Sequence, residues 1–266
     1  MINPLTLVNT DLYPVFDLTT DKSIRFFVDS RAYYKAHGIL AMPNFILPEA
    51  LEEMAGDARD VEHLSFKKEK RHNVYLADDD PAFDDQHPRN RQLTTTNSTI
   101  SDADIQPDGP LRTLYNSKEL HHFIAHVTGK TGIYPYVDKY SPLNIGVSRP
   151  GETLVWHFDT SDFATTLLLQ AADEGGEFEY IPHTRTVEDP AYERVAKLLE
   201  GDRTGVEVFD AEAGTLVLFQ GRQSIHRVAP IKGDKTRLVA ILTYDEKPNQ
   251  AMNAYTQEKF YGRAEL

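Results

Sequence analysis

Trp156-His157-Phe158-Asp159-Thr160 is answered downstream by Gln223-Ser224-Ile225-His226-Arg227-Val228. His157 and Asp159 stand two apart. On an extended strand, alternate side chains share a face, so both can reach one ion while Phe158 between them turns away into packing. His226 opens another candidate strand, 67 residues beyond Asp159. Two imidazoles and one carboxylate on one face of a six-coordinate iron leave three positions open. A lone His-x-Asp is common by chance; the distal histidine raises its meaning.

An arginine raises it further. Arg237 follows His226 by eleven residues. Between them, Lys232-Gly233-Asp234-Lys235 reads as a tight turn joining two strands. Folding the chain there sets residue 226 opposite 241 and residue 230 opposite 237. His226, Val228, Pro230, Arg237, Val239 and Ile241 then share one face. Ligand and arginine are offset by four residues, about 13 Å along the strand. An arginine fork suits a carboxylate, and a five-carbon 2-oxo diacid can span the gap between fork and metal.

Outward from this centre, the period is two from residue 134 onward. Strands are expected at 134–140, 143–148, 153–157, 164–170, 176–181, 205–209, 215–220, 227–231 and 237–244. Many short strands with turn signals at close intervals suggest a sandwich or barrel. Residues 190–199 form a helical insertion, with Val195, Leu198 and Leu199 on its apolar side.

The first half reads differently. Helices are expected at 22–37, with Ile24, Phe27, Val28 and Tyr34 as the apolar stripe, and from Pro48; residues 39–46 form a short strand and turn. Residues 63–110 are polar and read as a long solvated loop region, with Arg71, Arg89 and Arg91 as candidates for a carboxylate clamp. Residues 110–129 read as one helix. His122 and His126 share a face of it, but no acid completes a metal set and a helix C-terminus favours histidine on its own. The whole is one domain: helical support and loops over 1–133, a β core over 134–245 and a C-terminal segment over 246–266.

The 266 residues carry 41 acidic and 28 basic side chains, a formal charge of −13. That balance argues against nucleic acid and against an anionic membrane surface. No cysteine is present, so disulfides, Fe–S clusters and thiolate zinc are excluded. No signal sequence or membrane-length apolar run is seen, and the expected compartment is the cytoplasm. A homodimer is left open.

His157-x-Asp159, His226 and Arg237 resemble the signature of the Fe(II)/2-oxoglutarate-dependent dioxygenases. Their setting does too: Gly175-Gly176-Glu177-Phe178, Gly214-Thr215-Leu216-Val217 and the entry segment Gly38-Ile39-Leu40-Ala41-Met42-Pro43. The resemblance implies a double-stranded β-helix, or jelly-roll, core under an N-terminal helical layer. It implies Fe(II) on His157, Asp159 and His226, 2-oxoglutarate held by Arg237, and O₂ as second co-substrate. More narrowly, Leu143-Asn144, Trp156-His157-Phe158-Asp159 and Phe260-Tyr261-Gly262-Arg263 resemble a bacterial group acting on free amino acids, which includes lysine halogenases and hydroxylases. Halogenases of that group have glycine at the carboxylate position. Asp159 there implies hydroxylation, and Thr160, where lysine-specific members have an acid, leaves the amino acid open. The group's pattern also turns Thr243 and Tyr261 toward substrate. Trp156 is assigned to packing or to a substrate wall. The alternatives are a prolyl-hydroxylase-like oxygenase acting on a peptide or protein, and a non-catalytic jelly-roll binding module.

Overall fold

The computed structural model describes residues 2–265, with Lys68 described in its backbone alone. The first helix, α1 (Asp21–His37), is capped by the Thr20 side chain and stopped by Gly38 at φ 73°. It leads into β1 (Ile39–Met42) and α2 (Pro48–Asp60), which starts with proline at the position where a missing N–H costs nothing. The stripe expected on α1 is only half correct. Phe27 and Tyr34 are buried, but Ile24 and Val28 are about half exposed, and Ser23 and Ser30 take the inward positions.

The region read as a solvated loop contains two strands. β2 (Phe66–His72) and β3 (Leu93–Ile100) pair antiparallel along their length, and a turn-rich segment joins them. Strong charge on β2 hid the strand, because its side chains lie on the outermost strand of a sheet and need no alternating apolar face. The helix expected over 110–129 is two helices, α3 (Pro110–Tyr115) and α4 (Lys118–Thr128). Ser117 makes the break by accepting a bond from the Leu120 N–H, so it caps a new helix instead of continuing the old one.

The second half is a double sheet. In chain order its strands are β4 (Tyr134–Pro135), β5 (Leu143–Ser148), β6 (Leu154–His157), β7 (Ala164–Gln170), β8 (Glu174–Gly175) and β9 (Phe178–Ile181). Helix α5 (Tyr192–Leu199) intervenes. Then come β10 (Glu207–Phe209), β11 (Leu216–Phe219), β12 (Ile225–Val228), β13 (Ile231–Lys232), β14 (Arg237–Leu242), β15 (Tyr244–Asp245) and the C-terminal helix α6 (Ala254–Tyr261). A seven-stranded antiparallel sheet runs β1-β11-β7-β14-β5-β3-β2, and a four-stranded sheet runs β10-β9-β12-β6. This is a jelly-roll core with supporting helices.

The helical layer covers the outer face of the large sheet. Phe27 and Phe123 meet edge to face with centroids 5.0 Å apart, in one core with Ile145, Val147, Leu167, Leu169, Leu238, Ala240 and Leu242. On β14 burial alternates: Leu238, Ala240 and Leu242 are buried against the helices, while Arg237, Val239 and Ile241 face the space between the sheets. No described helix is long and apolar enough to cross a membrane.

The hairpin inferred between His226 and Arg237 does not form. β12 pairs with β6 and β9 in the small sheet, and β14 with β5 and β7 in the large one. Between them β13 pairs with β8, so the chain crosses from one sheet to the other. The phase within β14 was right; the partner was not.

Candidate active site

His157 ends β6 and His226 sits within β12, directly opposite it. The register slips just after this pair, between His226 and Val228, a local irregularity of the kind that re-aims side chains at functional sites. The two rings face each other with centroids 4.2 Å apart. Each Nδ1 lies against a backbone carbonyl: His157 at 2.8 Å from Val155 O and His226 at 3.0 Å from Ser224 O. A carbonyl only accepts, so both Nδ1 atoms carry the proton and both Nε2 lone pairs are left for a ligand.

Asp159 lies beyond the end of β6, in the following loop, and not on the strand itself. Its Oδ1 is 3.6 Å from His157 Nε2 and 3.5 Å from His226 Nε2. Its N–H donates to Gly221 O at 3.0 Å. Gly221 permits the approach, since a Cβ built there would lie 1.8 Å from Asp159 Oδ2. Among the described residues these three form the one group of His, Cys, Asp or Glu side chains able to hold a metal, with ligand atoms within 4.8 Å of one another.

The electrostatics agree with a cation site. Burial pushes the His157 imidazole below its ordinary pKa, and His226 pushes the same way, so the ring is neutral and able to ligate. Burial alone would raise the Asp159 carboxyl; His226 and His157 outweigh it and hold the group well below the usual carboxylate range. Phe219 stands edge-on to His226 at 4.9 Å and Phe178 lies 5.5 Å away, fixing that ring from behind.

Arg237 opens the second part of the site. It lines a small cavity with Leu168, Gly176, Phe178, Phe209 and Ala211. Phe178 therefore touches both the arginine's cavity and the His226 ring. Burial lowers the Arg237 pKa to about 10, which leaves it a cation at neutral pH, and it has no ion-pair or hydrogen-bond partner among the described residues. A buried cation without a partner is costly, so the cavity has the chemistry of an anion seat. Gly176, at φ 75°, supplies the room: a Cβ there would meet Ile231 Cδ1 at 2.8 Å and Arg237 Cδ at 3.1 Å.

The remaining sequence candidates fall in different places. Trp156 is buried on the far side of the small sheet with Val74, Phe158, Val195 and Ile225, its ring under the Arg227 guanidinium at 4.9 Å. Thr160 is exposed, one residue beyond Asp159, its carbonyl bonded by Arg222. Thr243 is half-buried between β14 and β15, its carbonyl accepting from the Tyr115 hydroxyl at 2.8 Å. Tyr261, at the end of α6, is buried 6.1 Å from Tyr140. His126 packs 5.4 Å from the Phe27 ring and joins no metal group. Sequence reasoning missed His72, whose ring stands 6.4 Å from His157 and is pinned by Thr95 Oγ1 at 2.9 Å. It also missed the roles of Gly176 and Gly221.

Comparison with known proteins bears on the same site. The profile of the halogenase D family (HalD) matches residues 24–262. The chain belongs to the halogenase D family. No curated protein sequence matches this family member. Solved structures that share the fold include the α-ketoglutarate-dependent epimerase SnoN of nogalamycin biosynthesis. SnoN is 12% identical, with TM-score 0.55 over 84% of this chain and 83% of that one. HygX from Streptomyces hygroscopicus, solved with nickel, 2-oxoglutarate and hygromycin B bound, is 13% identical. Its TM-score is 0.53 over 81% of this halogenase D family chain and 86% of its own. A prolyl hydroxylase from Trichoplax adhaerens, bound to a hypoxia inducible factor peptide, is 14% identical with TM-score 0.54, covering 87% and 95%.

Proposed function

We propose that this protein is a non-haem Fe(II)/2-oxoglutarate-dependent oxygenase that hydroxylates an unactivated C–H bond of a small molecule, a free amino acid. The observation that carries the reading is a complete three-ligand set, Asp159 included, beside a half-buried arginine with no protein counter-ion among the described residues. His157, Asp159 and His226 would hold Fe(II), which supplies the dioxygen and C–H chemistry when bound. Arg237 would hold the distal carboxylate of 2-oxoglutarate, a fork-to-carboxylate pairing.

The protein's own residues do the positioning. Val155 and Ser224 fix the imidazole tautomers, Gly221 fixes the carboxylate, and Phe178 and Phe219 exclude water behind His226. Asp159 distinguishes hydroxylation from halogenation, since a carboxylate in the third ligand position leaves no vacancy there for a halide.

The test is an Fe(II)-dependent succinate-release screen over the free amino acids, with mass spectrometry of the product. Coupled turnover, lost in His157→Ala and Asp159→Ala, is expected. Full activity in either variant, or a chlorinated product from the unaltered enzyme, would overturn the proposal. Asp159→Gly is expected to lose hydroxylation.

A further inference from the structure

The inner face of β2 carries His72 and, two residues earlier, Lys70. His72 looks toward His157, so Lys70 stands about 7 Å further along the same face. Its side chain is half-buried, and its ammonium lies 5.2 Å from the centroid of the Phe260 ring on α6. In a chain with 41 acidic side chains, no carboxylate pairs with it among the described residues. The charged neighbour that acts on it is another cation, Lys259 of α6; burial and that repulsion both lower its pKa.

Next to it on the same face is Asn97 of β3, opposite residue 68 and one step from Thr95, the residue facing Lys70. Asn97 is half-buried, and its side-chain amide makes no hydrogen bond among the described residues. A half-buried ammonium without an acid, beside an unused amide donor, is an arrangement that protein stability alone does not favour. An anion between them resolves it.

We propose that Lys70 and Asn97 hold the carboxylate of the amino-acid substrate. The inference rests on the oxygenase reading above and extends it: recognition of the anionic end is built from β2 and β3. Arg237 then serves the co-substrate alone.

Succinate release would be measured with each free amino acid and with the amine that lacks its carboxylate, for the unaltered enzyme, Lys70→Met and Lys70→Arg. Turnover of an amino acid but not of its amine is expected. Lys70→Met should raise KM for that amino acid roughly 10- to 100-fold with kcat far less affected, and Lys70→Arg should recover most of the loss. Thermal melting of each variant reports its folding. Equal turnover of acid and amine, an unchanged KM in a folded Lys70→Met, or no amino acid stimulating an enzyme that still consumes 2-oxoglutarate with iron would each overturn the proposal. An enzyme showing no iron-dependent consumption of 2-oxoglutarate at all would instead remove the oxygenase reading on which it rests.

Discussion

A glycine sets the tightest tolerance in the site. Gly221 lies so close to Asp159 that a single methyl group would overlap the carboxylate oxygen. Gly221→Ala is therefore expected to lose roughly 10- to 100-fold in Fe(II) affinity, read by metal titration, while its melting temperature changes little. Arg237→Gln keeps a hydrogen-bonding group but removes the cation. Its KM for 2-oxoglutarate should rise roughly 10- to 100-fold, with iron binding retained. Gly176→Ala should move KM in the same direction, because its methyl group would press on Ile231 and on the Arg237 stem. The cluster of His157, Asp159 and His226 was legible in sequence because its chemistry is written in residue type and spacing. Gly221 and Gly176 were not: each is needed only because another segment approaches it, and that approach is a tertiary fact.

At the level of elements, legibility followed local signals. β5 and β7 were found at their observed bounds, since apolar β-rich runs mark them clearly. The β2–β3 pair was missed, because an edge strand rich in lysine has the composition of a loop. The turn at Gly233-Asp234 was read as a hairpin on good turn chemistry, yet the chain there changes sheets. Turn residues specify a local bend and do not choose the strand's partner. The break between α3 and α4 is visible once Ser117 is read as a cap. Ser117→Ala should cost about 1 kcal/mol, a drop of a few degrees in melting temperature, with the site intact. Retained stability would mean that the packing of Leu120, Phe123 and Ile124 alone defines the start of α4.

The whole molecule also responds to pH. Burial lowers the pKa of His72, His121 and His126. An unfolded histidine titrates near pH 6.5, so between that value and the folded one the unfolded chain binds more protons. The stability these neutral rings contribute is fully present above about pH 6.5 and is lost as pH falls through their folded values. Melting temperature of the metal-free protein should fall from pH 7.5 to pH 5. His121, held against Tyr115 O at 2.6 Å, is the group to replace: His121→Gln should flatten that slope.

The rung that joins His157 to His226 has a mechanical meaning as well. The residues lie nearly seventy positions apart in the chain and on adjacent strands of the smaller sheet. A metal bridging them acts as a removable cross-link that closes a long loop, and it binds the folded chain far better than the unfolded one. At a free concentration 100 times its dissociation constant it adds about 2.7 kcal/mol, which is several degrees of melting temperature in a chain of this size. Calorimetry under argon, with and without Fe(II), should show that rise, and Asp159→Ala should shrink it. The same bond that readies the chain for oxygen would then also decide how long the smaller sheet survives heat.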